Sequence, residues 1–169
     1  MPQPKDHTSQ RGAIESVLRH IPGFKGYLER EYRRDSDKLQ RDWLAERLQR
    51  SKRSIDDVIN RLTEAGHLDA LPACDRLRSR LDKLMGRIRG AMRGYSGFFD
   101  LVNVDEALLD RVYEHDVKMM DQVEALAESV ERLPAEPGTL RQAIDQALGQ
   151  LDEVEREFQM RVDILRGLE

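Results

Sequence analysis

"EALLDRVYEHDVKMMDQVEALAESVERL", residues 106–133, decides the fold class. Leu109, Val112, Asp116, Met119, Val123, Leu126, Val130 and Leu133 recur in it three and four residues apart. Such spacing keeps one side chain per turn on a single helix face, the seam through which helices pack as coiled coils do. A strand, whose sides alternate every second residue, would scatter the same positions over both faces. The start is marked as well: Asn103 can cap, and Glu106 three residues later completes a capping-box pattern.

The same logic extends outward. "PAEPG" (134–138) breaks the chain, after which Leu140, Ile144, Ala147, Leu151, Val154, Phe158, Val162 and Leu165 form the seam of a last helix. Upstream, Leu77, Leu81, Leu84, Ile88 and Ala91 mark a helix from about Pro72 to Gly94. Before it, a stripe from Phe24 through Leu28, Tyr32, Leu39, Trp43, Leu44, Leu48, Ile55 and Val58 to Leu62 predicts a helix of about 40 residues, roughly 60 Å long. Gly66 is its natural cap. "IPGF" (21–24) separates it from a short first helix beginning at Gly12, and residues 1–11, polar with two prolines, read as a disordered tail.

The expected fold is therefore all-α. An antiparallel up-down bundle of four long helices follows a short N-terminal helix, in a single domain over residues 12–169. The second helix is longer than the other three. Residues 12–38 thus read as a protruding contact region, its Phe24, Tyr27 and Tyr32 forming an aromatic group that a partner would cover.

Composition agrees. Charged residues make up 36% of the chain and aromatics only 5%, which suits long amphipathic helices and disfavours a sandwich or barrel. The single Cys74 cannot form an internal disulfide and points to a reducing compartment. No apolar run approaches the ~20 residues of a membrane span, and "MPQPKDHTSQRG" lacks the apolar segment of a signal peptide, so a cytoplasmic location is expected. The net charge of −4 hides an imbalance: residues 1–94 carry +7 and residues 95–169 carry −11. Basic helices lying beside acidic ones, or a basic face kept for a partner, would each account for it.

Motifs for chemistry are missing. None of the histidines follows a Glu at the Glu-x-x-His spacing of di-metal bundles, and Glu114, His115 and Asp116 point about 100° apart in turn and cannot grip one ion. Cys74 has no neighbouring His, and no Gly-rich phosphate loop follows a strand. No catalytic residue, metal or cofactor is implied, and the chain reads as a non-enzyme. Asp116 stands on an otherwise apolar seam, so it either turns to the edge or pairs with an arginine such as Arg78, Arg89 or Arg93.

One stretch resists a purely structural reading. In "GRIRGAMRGYSGFFD" (86–100) glycines recur at positions 86, 90 and 94, on the side of the helix away from its seam. Interior glycines cost about 0.8–1.0 kcal/mol each relative to alanine. Arg76, Arg80, Lys83 and Arg87 flank them, so small residues that admit a close backbone lie beside forked donors for carboxylates. Phe98 or Phe99 can plug the end of the bundle, while Tyr95 reaches water.

The expected function is a helical scaffold or adaptor that self-associates or docks an acidic helical protein. Its surface would comprise Arg76, Arg80, Lys83, Gly86, Arg87, Gly90, Gly94 and Tyr95, with Phe24, Tyr27 and Tyr32 on the overhang. The alternative is peripheral attachment to a membrane through Ile14, Val17, Leu18, Ile21 and Phe24, an apolar side with Arg11, Arg19 and Lys25 nearby. Nucleic-acid binding is disfavoured, because the many arginines of the second helix are interleaved with Glu29, Glu31, Asp35, Asp37, Asp42 and Glu46. An enzyme of unrecognised type is the remaining reading.

Overall fold

The seams become five α-helices in the computed structural model, which describes residues 6–91 and 97–167. They are α1 (Asp6–His20), α2 (Arg30–Glu64), α3 (Leu71–Gly90), α4 (Glu106–Glu131) and α5 (Pro137–Arg166). Short 3₁₀ turns, Leu68–Ala70 and Gly97–Asp100, stand in two of the connections. Among the described residues there is no strand, and the helices pack against one another. The predicted seam residues of α2 to α5 line the core: Leu44, Leu48, Ile55, Leu77, Leu81, Val123, Leu126, Ile144 and Leu151 are all sealed from solvent. Each such side chain stabilises the fold by about 1.5–3 kcal/mol relative to exposure.

Helix ends follow local chemistry. Gly66, at φ +77°, follows the C-cap Ala65; the N–H of Gly66 reaches the Thr63 carbonyl and that of His67 the Leu62 carbonyl, a Schellman pair that uses up two free carbonyls of α2. The start of α4 differs from expectation by two residues. Asp105 is the N-cap, its carboxylate accepting from the Ala107 N–H, and Asn103 lies outside the helix. A carboxylate caps as well as an amide and also suits the positive helix end. At the other terminus α1 begins at Asp6, so residues 6–11 are helical and not the tail expected of them.

Two larger expectations are corrected. The second helix starts at Arg30, not Phe24, and the aromatic group expected on a protruding 12–38 region is not bare. Phe24 and Tyr27 are buried, at 5% and 0% exposure, against Tyr113 of α4, and Tyr27 also meets Phe98 edge to face. The 3₁₀ turn Gly97–Asp100 packs on α2 and α5, burying both Phe98 and Phe99 over the end of the core. The protein's own connections thus cover the length by which α2 exceeds its neighbours.

Neighbour relations also differ from a simple succession of antiparallel pairs. Among the described residues α2 packs on α3 and α4, α5 on α3 and α4, and α1 chiefly on α4, with His20 also meeting the Trp43 ring of α2 edge to face, whereas α3 and α4 are not a closely packed pair. Cross-helix contacts give the directions. Between α2 and α3 they run in opposition, Arg41 meeting the carbonyls of Ile88 and Arg89, and Lys52 meeting Asp82. Between α3 and α5 they rise together, Arg76 to Asp145, Arg80 to Asp152 and Arg87 to Gln159. Short connections force antiparallel neighbours, but segment 91–105 is long enough, at up to ~3.3 Å per residue, to cross to a helix that is not adjacent.

Candidate functional site

Three seams carry charge into the core at one level. On α4, Asp116 is completely buried; on α5, Arg161 is 1% exposed; on α2, Asp37 is 1% exposed with Arg41 one turn on. The Arg161 Nε donates to Asp116 Oδ1 at 2.5 Å and one terminal nitrogen to Asp37 Oδ1 at 2.8 Å. The other terminal nitrogen donates to the Tyr27 hydroxyl at 3.1 Å, and that hydroxyl donates to Asp116 Oδ2 at 2.5 Å. Arg41 closes the chain, donating to Asp37 Oδ2 at 2.8 Å and to the last carbonyls of α3.

Asp116 is thus buried and paired, but with Arg161 of α5. Arg78 pairs instead with Asp56 and Asp75, Arg89 is exposed, and Arg93 lies outside the described residues. Burial pushes the Asp116 carboxyl above the usual carboxylate range, against the pull of the Arg161 guanidinium and the Tyr27 hydroxyl. Burial also carries the Tyr27 phenol well above its ordinary value, with the Asp116 charge adding to it. Two carboxylates face two guanidiniums, so the group is charge-balanced, and its polar atoms face one another. Such a network fixes which helices meet and in what register more than it adds net stability.

A second buried arginine ties the same end together. Arg33, 1% exposed, donates to the carbonyls of Tyr27 (2.7 Å), Leu28 (3.2 Å), Phe98 (3.0 Å) and Leu101 (2.8 Å), with its guanidinium over the Phe98 ring. One planar fork of donors therefore pins the segment before α2 to the turn before α4. Glu157 of α5, 1% exposed, is held by His115 and by Lys118 at 2.6 Å. Among the described residues no group of His, Cys, Asp and Glu has the arrangement of a metal site.

The Gly/Arg strip of α3 divides into two parts. Toward its N-terminal end the strip is occupied by the protein itself: Arg76 pairs with Asp145, and Arg80 with Asp152 (2.6 Å) and Glu155 (3.3 Å). One turn further the carboxylates of α5 give way. Arg87 meets only the amide oxygen of Gln159, and Lys83 has no carboxylate partner among the described residues. There the α3–α5 seam opens into a groove of about 490 Å³ with Phe158 and Val162 along one wall. Gly86 and Gly90 border it, and a Cβ added to either would meet nothing within 4 Å.

The predicted site residues thus separate. Arg76 and Arg80 are engaged by α5; Lys83, Gly86, Arg87 and Gly90 come together at the groove; Gly94 and Tyr95 lie outside the described residues. Phe24 and Tyr27 are buried, and Tyr32 is half-buried with the Lys25 ammonium 4.3 Å from its ring centre. Of the membrane set, Val17, Ile21 and Phe24 are buried and Ile14 is half-buried; Leu18 alone is exposed, at 46%. Arg161, Arg33 and Glu157 were passed over in the sequence. A seam signal existed for Arg161, because the alternation 147, 151, 154, 158 continues to 161. No protein-family model matches the chain, and no curated protein or solved structure matches it either.

Proposed function

We propose that this protein is a non-enzymatic helical adaptor that docks an acidic helix of another protein in the groove between α3 and α5. The reading includes a finer architecture, a four-helix bundle of α2 to α5 with α1 laid on its outside. One observation carries the function. Arginine–carboxylate pairs close the α3–α5 seam along Arg76 and Arg80, and the seam opens where Lys83 and Arg87 continue the positive line past Gly86 and Gly90 without carboxylates to meet them. An acidic helix laid there would continue the pairing that α5 begins, its backbone brought close by the missing side chains.

Gly86 supports this further. It sits inside α3 with open space above it, so the fold gains nothing from the glycine, and alanine would be worth about 0.8–1.0 kcal/mol more in that helix. The membrane reading has less behind it, since Val17, Ile21 and Phe24 are turned into the core and, among the described residues, no helix is long and apolar enough to cross a bilayer.

The test uses a synthetic amphipathic peptide helix with glutamates on one face and leucines on the other, followed by fluorescence anisotropy. Wild type is expected to bind it in a salt-sensitive manner, and Arg87→Glu to weaken binding by about tenfold or more, the loss of one charge-assisted contact. Gly90→Leu should block the groove while circular dichroism stays helical. Gly86→Ala should raise the unfolding free energy by about 1 kcal/mol while lowering peptide affinity, opposite signs that a purely structural glycine would not give. Equal affinity of all three variants and wild type would rule the groove out.

A further inference from the structure

α1 is fastened to the protein more sparsely than its neighbours are. Across residues 11–20 Val17 is the one buried side chain, with Ala13, Ile14 and Ser16 half-buried and the rest exposed, whereas α3 buries Cys74, Leu77, Leu81, Leu84, Met85 and Ile88. Ile21 follows as a second buried residue, and the chain then turns at Gly23, whose φ of +81° suits glycine. A Cβ at Gly23 would meet nothing nearer than the Leu39 Cδ1 at 3.7 Å, so this turn is not wedged against its surroundings. Three residues later the packing tightens. A Cβ at Gly26 would stand 2.6 Å from the Tyr113 hydroxyl, which accepts from the Tyr27 N–H at 3.0 Å, and Arg33 holds the Tyr27 and Leu28 carbonyls. The chain is thus lightly held up to Gly23 and pinned from Gly26 onward.

Beneath the same stretch lies a buried amide with nothing to bond. Gln40 of α2 is 0% exposed, and neither its amide oxygen nor its nitrogen has a hydrogen-bond partner among the described residues. It shares a side of α2 with Ser36, one turn before, and Trp43, one turn after. Both touch the chain leaving α1: the Ser36 Oγ accepts from the Lys25 N–H, and the Trp43 ring meets His20 edge to face. Residues 20–25 therefore pass over the turn of α2 that carries Gln40. An amide sealed in this way forfeits the hydrogen bonds that water would give it, so covering it works against α1 staying in place. We infer that α1 is a strap, released about Gly23 while α2 to α5 stay folded, and that its release opens the edge of the α2–α4 seam and wets the Gln40 amide. Val17 and Ile21 hold the strap down, and Gln40 works against them. Tyr27, on the pinned side of the turn, keeps its place in the core. The inference is independent of the groove, which lies along α3 and α5.

Thiol labelling of the full chain tests it, with Cys74 as an internal standard, because that thiol is sealed in α3 and reports opening of the core. The thiol placed by Val17→Cys is expected to react with an aromatic disulfide reagent at least about a hundredfold faster than Cys74. Adding Gln40→Leu should slow the new thiol by about tenfold, since the closed form then hides no unpaired amide. Hydrogen exchange of the wild type reads the same opening with α1 unaltered, and it decides the matter where Val17→Cys itself loosens the helix. Corrected for intrinsic rates, amides of residues 14–20 should exchange at least about a hundredfold faster than those of residues 77–88, and Gln40→Leu should slow them by about tenfold. Equal rates for α1 and α3 overturn the inference, because α1 would then leave only when the whole molecule unfolds. So does a Gln40→Leu variant in which α1 exchanges as fast as in wild type or faster, for the amide would then play no part in releasing the strap.

Discussion

Arg161 occupies a position that ordinarily takes an aliphatic side chain, and its three partners come from three parts of the chain: Asp37 of α2, Asp116 of α4 and Tyr27 of the segment before α2. Removing it alone leaves two buried carboxylates, of which Asp37 keeps Arg41 and Asp116 keeps only the Tyr27 hydroxyl. Arg161→Met is therefore expected to lower the unfolding free energy by about 3–5 kcal/mol, read as a shift in urea midpoint at constant slope. Adding Asp116→Leu should recover a large part of that loss, because the stranded charge goes with it. A double variant as unstable as the single one would contradict this account. The network was partly legible. Strict three-four alternation runs 37, 41, 44, 48, 51, 55, 58, 62 on α2, through Asp116 on α4 and through Arg161 on α5, and every one of these positions is buried. An apolar reading found Val162, which is buried as expected, and missed Arg161 beside it, because it weighs residue type above spacing.

Elements were legible where caps and periodicity coincide. The Schellman end at Gly66 and the break at residues 134–138 fall where turn chemistry places them, whereas the start of α2 does not, because Phe24 and Leu28 fit a helical stripe as well as they fit a folded-back segment. Which helices pair is less local. Arg47 of α2 makes the clearest tie to α4: one guanidinium bonds both oxygens of Glu124 (2.8 and 2.9 Å) and both of Glu131 (2.7 and 3.0 Å), two turns apart on one face. The Arg47 bond, outweighing partial burial, holds the Glu124 carboxyl below its ordinary value of 4.5. A carboxyl depressed in the folded state contributes stability that is present above the ordinary value and lost as pH falls through the folded one. Glu124→Gln should then cost about 1 kcal/mol or less at pH 7, its side chain being 44% exposed. The gap between variant and wild type in urea unfolding should narrow as pH falls below the ordinary carboxyl value and close in acid where Glu124 is protonated in both states. A gap that persists there would mean that Glu124 acts through packing and not through charge.

At the scale of the molecule, the opposite charges of the two halves meet inside the protein. α3 lays Arg76 and Arg80 against the acids of α5, and α2 lays Arg47 against those of α4, so the two halves pair with each other along these seams, while the stretch by Lys83 and Arg87 carries the positive line past the last of those pairs. The N-terminal region belongs to the same economy of contacts. Val17 and Ile21 are buried with α1 lying on α4, and Phe24 and Tyr27 complete the core above Asp116. Four buried side chains at about 1.5–3 kcal/mol each amount to a loss comparable with the whole stability of a domain this size, about 5–15 kcal/mol. A chain lacking residues 1–28 should consequently lose near-ultraviolet dichroism and unfold with a broad, early urea transition, since it also opens the Asp116–Arg161 pair to water. Cooperative unfolding of that truncated chain at the wild-type midpoint would show that α1 and the Tyr27 segment are an appendage, and would return them to the role of a detachable anchor.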